Sequence, residues 1–316
     1  MRIVKSILRW IFSWRGLVLG IAIIIALLSS TRFFEPGMAP DDPSVLFNQY
    51  GRWTDIHFKT DEGVIHAVKA GNPEAETLLA FVHGSPGSWY DFTSFADSFE
   101  LAKDHRLLFF DRPGYGESTH PHTGSLSDQS NWIFEVIKEE LENIPAENLI
   151  VFGHSYGGPV AMQIGVDHAE EVDGLVLAAP TIAMPYQEPR WYNNAADFFL
   201  IRIWLGKWLK NSNDEMIKLY ESELPSLEPD FRNFENPIVF IQGGKDMLVP
   251  APSADYFQTK CPSCDVDFIL DEEMNHFVPW SHPKYLIQAL RQIETEMNEE
   301  AASDSTDISL PEPQEE

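Results

Sequence analysis

The sequence predicts an α/β domain with a mostly parallel central sheet, helices on both faces and an apolar segment in front. Three observations carry this. Short β-rich runs alternate with helical patterns: Leu78 to Val82, Arg106 to Phe110, Leu149 to Phe152, Gly174 to Ala178, Ile238 to Gln242 and Val266 to Leu270. The internal runs are almost continuously apolar, as parallel strands covered on both faces must be. Ahead of them, Trp53 to Lys59 and Val64 to Lys69 flank Asp61-Glu62-Gly63 and read as an antiparallel pair that enters the sheet.

Residues 1–34 hold a basic stretch (Arg2, Lys5, Arg9, Arg15) followed by the uninterrupted apolar run Leu17 to Leu28. That order is the layout of a signal sequence or a retained signal anchor. The run is shorter than the ~20 residues of a usual span, but Trp10, Ile11, Phe12 and Trp14 extend its apolar character. No Ala-x-Ala cleavage site follows, so a retained transmembrane anchor is favoured over a cleaved signal. The cationic excess before the run keeps the N-terminus cytoplasmic, so the domain that follows is expected outside the cytoplasm, membrane-anchored, or secreted if the signal is cleaved. From 35 to 50 the prolines and glycine of Glu-Pro-Gly-Met-Ala-Pro-Asp-Asp-Pro read as a linker.

The domain is expected over 51–297. Its strand spacing breaks once, at an insert of about 181–236 with helical periodicity, which reads as a small cap. Trp191, Tyr192, Phe198 and Trp204 in this insert either pack a core of the cap itself or line an apolar substrate pocket. From 298 to 316 acidic residues dominate with few apolar ones, the composition of a disordered tail. The formal charge of −27 excludes nucleic acid as a partner, since a polyanion would be repelled. Cys261 and Cys264 form a lone Cys-Pro-Ser-Cys pair, too few ligands for a zinc site. They are read as a local disulfide or free thiols.

The chemistry is concentrated at strand ends. Gly153-His154-Ser155-Tyr156-Gly157 follows the strand Leu149 to Phe152 and precedes a helical stretch, the setting in which a serine is held on a sharp turn as a nucleophile. Glycines flank it because the tight turn leaves no room for side chains. A serine hydroxyl needs a base to take its proton. His276, in Asn275-His276-Phe277 past the last strand, is the candidate, whereas His57, His66, His105, His120, His122, His168 and His282 are read as surface or structural residues. Asp246, in Gly243-Gly244-Lys245-Asp246, follows the strand ending at Gln242 and is the candidate orienting carboxylate. Asp265, Asp267 and Asp271 fit the chain order but lie on or beside the strand leading into His276. Two backbone amides are the candidate oxyanion donors: Tyr156, directly after the serine, and Ser85 in His83-Gly84-Ser85-Pro86-Gly87, where Pro86 has no N–H to offer. The Ser85 side chain is a further candidate contact.

Together with Asp111-Arg112-Pro113-Gly114-Tyr115-Gly116-Glu117-Ser118, whose Asp111 and Arg112 read as structural, these motifs resemble the α/β-hydrolase superfamily of esterases, lipases, C–C bond hydrolases and epoxide hydrolases. The likeness covers roughly residues 51–296. Epoxide hydrolases of that fold use an aspartate where this chain has Ser155, and proline iminopeptidases typically read His-Gly-Gly-Pro-Gly with Trp after the serine, where this chain has Ser85 and Tyr156. The resemblance implies the α/β-hydrolase fold and a serine hydrolase acting through an acyl-enzyme on a small or medium carboxylic ester with an apolar portion. C–C, lactone or peptide cleavage on the same triad, or binding without catalysis, are the alternatives. No metal and no organic cofactor is implied.

Overall fold

A computed structural model describes residues 14–30, 47–48 and 51–307. Its centre is one sheet of β1 (Thr54–Lys59), β2 (Val64–Gly71), β3 (Thr77–Val82), β4 (Arg106–Phe110), β5 (Asn148–His154), β6 (Gly174–Ala178), β7 (Ile238–Gly243) and β8 (Val266–Asp271), in the order β8-β7-β6-β5-β3-β4-β2-β1. The entry pair β1–β2 is antiparallel, with Thr60 N–H bonded to the Gly63 carbonyl at the turn, and β2 runs antiparallel to β4. Every pairing from β4 through β8 is parallel. The C-terminal ends of β3, β5, β7 and β8 therefore open at one edge of the sheet, where ligands of open α/β sheets bind. That shared direction gathers the loops at 83–87, 153–157, 243–246 and 275–277.

Alternation along each strand divides its apolar side chains between two layers. On β3, Leu78, Ala80 and Val82 join a cluster with Ile133, Ile137, Val160 and Ile164, while Leu79 and Phe81 face the other side. There Phe81 stacks on Phe109 at 4.6 Å and meets Phe152 at 4.8 Å. Helices α2 (Leu126–Asn143) and α3 (Gly157–Asp167) cover the first face. Helix α5 (Pro283–Asp307) lays Leu286, Leu290 and Ile293 along the second, at the spacing of one helix face. Between them in sequence, α4 (Lys207–Lys218) belongs to the predicted cap, which lies between β6 and β7. Cys261 and Cys264 are joined as a disulfide.

Two sequence expectations need correction. The apolar segment forms helix α1 (Trp14–Ser30), 17 residues long. At 1.5 Å per residue this is about 26 Å, short of the ~30 Å hydrocarbon core. Among the described residues no helix is long and apolar enough to cross a membrane; residues 1–13, which were expected to lengthen the run, lie outside the described residues. Second, the tail expected from 298 is helical as far as Asp307, a continuation of α5. Its Glu and Ala residues are good helix formers and add to a helix already nucleated by packing. Residues 308–316 lie outside the described residues. At the end of the expected 35–50 linker, Phe47–Asn48 pairs with Gly51–Arg52 as a short antiparallel ladder.

One buried ion pair docks the cap onto the domain. Arg112, just past β4, and Glu215, on α4, are both fully buried and meet at 2.8 Å (Nη1 to Oε1) and 3.2 Å (Nη2 to Oε2). Removing one partner of such a pair strands the other's charge in the interior. Glu215→Ala is expected to lower unfolding free energy by about 3–5 kcal/mol in urea titrations. A loss under about 1 kcal/mol, the scale of an exposed pair, would contradict the burial described here.

Candidate active site

Ser155 occupies the turn between β5 and α3 with φ of +53°, left-handed backbone that a non-glycine residue adopts at a cost of roughly 1–3 kcal/mol. The turn is held by its own backbone: Ser155 N–H donates to the Ala178 carbonyl at 3.0 Å, and the Ser155 carbonyl accepts from Gly158 N–H and Thr181 N–H. The flanking glycines are required sterically. A Cβ on Gly153 would run into the Gly157 carbonyl, and one on Gly157 into the Val82 carbonyl at the end of β3.

His276 and Asp246 come together as the sequence predicts. His276 Nδ1 lies 2.8 Å from Asp246 Oδ2. The other carboxylate oxygen accepts the backbone N–H of Leu248 at 2.8 Å and of Val249 at 2.7 Å, so Asp246 is fixed in place by its own loop. Gln242, at the end of β7, donates Nε2 to the Val249 carbonyl and reaches Asp246 Oδ2 at 3.5 Å. With the carboxylate on Nδ1, that nitrogen carries the ring proton and Nε2 is left as the base. Ser155, His276 and Asp246 are 9%, 6% and 8% exposed, accessible from one side and otherwise enclosed. Among the described residues Ser155 Oγ and His276 Nε2 make no hydrogen bond to each other. Such contacts often tighten only with substrate bound.

Two further histidines frame the site. His154 donates Nε2–H to the His276 carbonyl at 2.9 Å, tying the end of β5 to the loop of His276. His83 donates Nδ1–H to the Gly84 carbonyl at 2.7 Å, and its Nε2 accepts the Arg112 N–H at 3.0 Å. The Ser85 loop is thereby braced from below, and Arg112 completes the brace: Nε donates to the His83 carbonyl at 3.0 Å and Nη2 to the Gly84 carbonyl at 2.8 Å. With those carbonyls turned toward the guanidinium, the amides of Ser85 and, across the crevice, of Tyr156 at the start of α3 remain as candidate anion donors.

The Ser85 side chain has a different assignment from the one expected. Its Oγ lies 3.0 Å from Tyr115 Oη, and Tyr115 donates its hydroxyl proton to Glu215 Oε2 at 2.9 Å. Burial, together with Glu215, pushes the Tyr115 phenol well above its usual pKa, so it stays protonated. Tyr115 then accepts from Ser85, whose proton is used inside this chain and is not free for an oxyanion. Tyr115 and Glu215 are residues that sequence reading missed. Tyr115 sits in the 111–118 motif, of which only Asp111 and Arg112 were given a structural role; Glu215 has no local signal, since its partner lies 103 positions away.

The residues expected to line a pocket lie largely at the surface. Trp191, Tyr192 and Phe198 are 80%, 45% and 52% exposed, and only Trp204 is partly buried. The cap helices Trp191–Asp197 and Phe199–Arg202 contain no buried residue. The first of them packs against α4, where Asn193 Nδ2 bonds Asn213 Oδ1 at 3.0 Å, and leaves Trp191 and Tyr192 exposed. The apolar surface nearest in sequence to the site is a different one, formed by Met247 and Leu248 after Asp246 and by Phe277 and Trp280 after His276, all exposed.

A family model described as α/β hydrolase fold matches residues 77–211. Among curated proteins, epoxide hydrolase 1 of Caenorhabditis elegans is 29% identical over 125 residues, 39% of this chain and 30% of that protein. A proline iminopeptidase of Saccharolobus solfataricus is 28% identical over 128 residues, 39% of this chain and 38% of its own. This chain thus spans less than half the length of the curated relatives it matches. Among solved structures, an esterase of Pyrococcus furiosus superposes with a TM-score of 0.61 at 16% identity, over 78% of this chain and 91% of its own. A lipase-esterase related protein of Clostridium acetobutylicum gives 0.58 at 17%, over 72% and 99%. The fold of this chain is the α/β-hydrolase fold, with a mostly parallel eight-stranded sheet, and the resemblance read from its motifs holds.

The buried histidines set an acid limit. Burial first, with Arg112 beside His83 and His276 beside His154, lowers both pKa values to about 3. In the unfolded chain both titrate near 6.5. As pH falls below about 6.5 the unfolded state takes up two protons that the folded state refuses, so stability falls with pH. Asp91 opposes this, because burial raises its carboxyl to about 7 and the folded state holds one extra proton over the same range. From these three groups unfolding between about pH 4.5 and 6 takes up about one proton, two histidines less one aspartate; His122 and His168, lowered by burial, act in the same direction, and Asp173, raised by burial, against it. Urea midpoints measured across that range should decline toward acid. A flat or rising profile would mean that His83 or His154 is charged in the folded protein.

Proposed function

Starting from the α/β-hydrolase fold, we propose that this chain is a serine hydrolase that cleaves a small or medium carboxylic ester through an acyl-enzyme, with Ser155, His276 and Asp246 as its triad. The observation that carries the reading is the 2.8 Å His276–Asp246 bond, on a loop bonded to His154, the residue before a serine on a left-handed strand-to-helix turn. Ser155 Oγ attacks the carbonyl carbon while His276 Nε2 takes its proton, and Asp246 stabilises the imidazolium that forms. The oxyanion is held by the amides of Tyr156 and Ser85, the former at the positive end of α3. His276 then protonates the leaving alkoxide, and a water activated by the same nitrogen cleaves the acyl-enzyme.

An apolar acyl or alcohol part is favoured by the exposed apolar residues that flank the triad in sequence, Met247 and Leu248 after Asp246 and Phe277 and Trp280 after His276. The similarity to solved esterases supports the same class. Relatives named epoxide hydrolase do not redirect it, because a serine at the turn gives an acyl-enzyme from a carbonyl substrate. The basic segment before α1 supports placing the domain outside the cytoplasm, a proposal that rests on the charge pattern alone.

A fluorophosphonate probe is expected to label the purified protein once, at Ser155. Labelling that persists in Ser155→Ala would overturn the assignment of the nucleophile. Against aryl esters of graded acyl length, Asp246→Asn should lower kcat by about 10⁴-fold, the scale of losing the correct imidazole tautomer. Turnover within a few-fold of the parent would remove Asp246 from the triad.

A further inference from the structure

A second cluster of chemistry-bearing side chains lies at the edge of the sheet, on residues that the hydrolytic site does not use. His57 on β1 and His66 on β2 are direct cross-strand partners, with ring centroids 5.1 Å apart. Asp55, two residues before His57, projects from the same face of β1 and places Oδ1 3.0 Å from His66 Nε2. Glu117 arrives from the loop after β4, its Oε2 3.8 Å from His57 Nε2. One ligand atom from each of His57, His66 and Glu117 lies within 4.8 Å of the others.

We propose that His57, His66, Glu117 and Asp55 form a binding site for a divalent transition-metal ion, zinc by the chemistry of the donors. Two imidazoles and two carboxylates are a borderline set that suits Zn²⁺, and their charges balance its own. Tetrahedral bonds of 2.0–2.2 Å place ligand atoms about 3.3 Å apart. His57 and Glu117 are half-exposed side chains free to close that gap by rotation, while His66 is rigid and fully buried.

The surroundings of His66 favour a built site over a chance grouping. Its Nδ1 lies 2.7 Å from Asp111 Oδ2, which puts a proton on Nδ1 and points Nε2 at the cluster. This carboxylate–imidazole arrangement is the one that orients metal-ligating histidines. Asp111 is itself fixed, accepting the backbone N–H of Trp89 and of Glu117, each at 2.9 Å. The second of these bonds also positions Glu117. Glycine at 116 is required for the turn, with φ of +48° and no space for a Cβ beside the Asp111 carboxylate. As Zn²⁺ binds, the proton shared between His66 Nε2 and Asp55 leaves to solvent and both atoms become ligands.

The test is calorimetric titration of Zn²⁺ into the full-length protein after chelator treatment, alongside His57→Gln and Glu117→Gln. One Zn²⁺ per chain is expected at micromolar affinity or tighter, weakened at least about tenfold by either substitution. Bound Co²⁺ should show the intense bands of a tetrahedral site in the parent and lose them in both variants, with ester hydrolysis unchanged in each. Both side chains are half exposed, so the variants should fold. No binding at sub-millimolar Zn²⁺, or binding that survives both substitutions unaltered, overturns the proposal. The first result would leave His66 as a histidine bridging two carboxylates, and the second would place the metal elsewhere, such as on His276.

Discussion

The structure around the crevice depends on one guanidinium. Arg112 has five donors on a rigid planar fork and no route to solvent, so each must find an acceptor inside the protein. It finds them on three segments: the His83 and Gly84 carbonyls after β3, Gln129 on α2, and Glu215 on the cap helix. The rings of Tyr115 and Tyr156 pack at 4.9 and 4.7 Å from its central carbon. The loop that offers the Ser85 amide, the residue after the nucleophile and the cap are thus referenced to a single group. A buried pair of this kind is weak evidence for stability, since desolvation offsets its attraction. Its consequence is geometric: few arrangements satisfy every donor at once.

The same loop shows why the neighbouring histidines stay uncharged. His83 and His154 each use one nitrogen as donor and are buried, so a second proton on either would be an uncompensated charge beside Arg112 or His276. Neutral rings leave the Asp246 carboxylate as the charge that acts on His276 through a direct bond. The proposed imidazolium can then form without a second cation pressed against it. The acid sensitivity of the fold follows from the same arrangement.

What could be read from the sequence was what depends on near neighbours. The strand runs, the Gly153–Gly157 turn, and the placement of His276 and Asp246 after successive parallel strands follow from local pattern plus the rule that parallel strands end on one side. Glu215 could not be read that way, because nothing in Lys207–Lys218 marks it as the partner of a residue near β4; its polar face looks like any solvated helix. The burial of the cap aromatics was not legible either, for the opposite reason. Periodicity says which residues share a helix face but not how far another layer covers that face, and Trp191, Tyr192 and Phe198 stay exposed. The acidic tail was misread as far as Asp307 because composition ignores a helix already nucleated upstream by Leu286, Leu290 and Ile293.

Asp111 and Arg112 are consecutive, and alternation at the end of β4 sends them to opposite purposes. Asp111 turns to His66 and the Trp89 and Glu117 amides at the sheet edge; Arg112 turns to the crevice and the cap. The proposed metal site and the proposed hydrolytic site are therefore joined through one peptide unit. That link is rigid: the Asp111 N–H is bonded to the His66 carbonyl, and Ser118 Oγ closes the turn by bonding the Asp111 carbonyl. A packed, fully bonded link transmits an arrangement but has no second position to switch into. An ion at the edge would hold the 111–118 loop in the conformation that Arg112 already needs. Its effect belongs to the persistence of the fold and not to the rate of the chemistry.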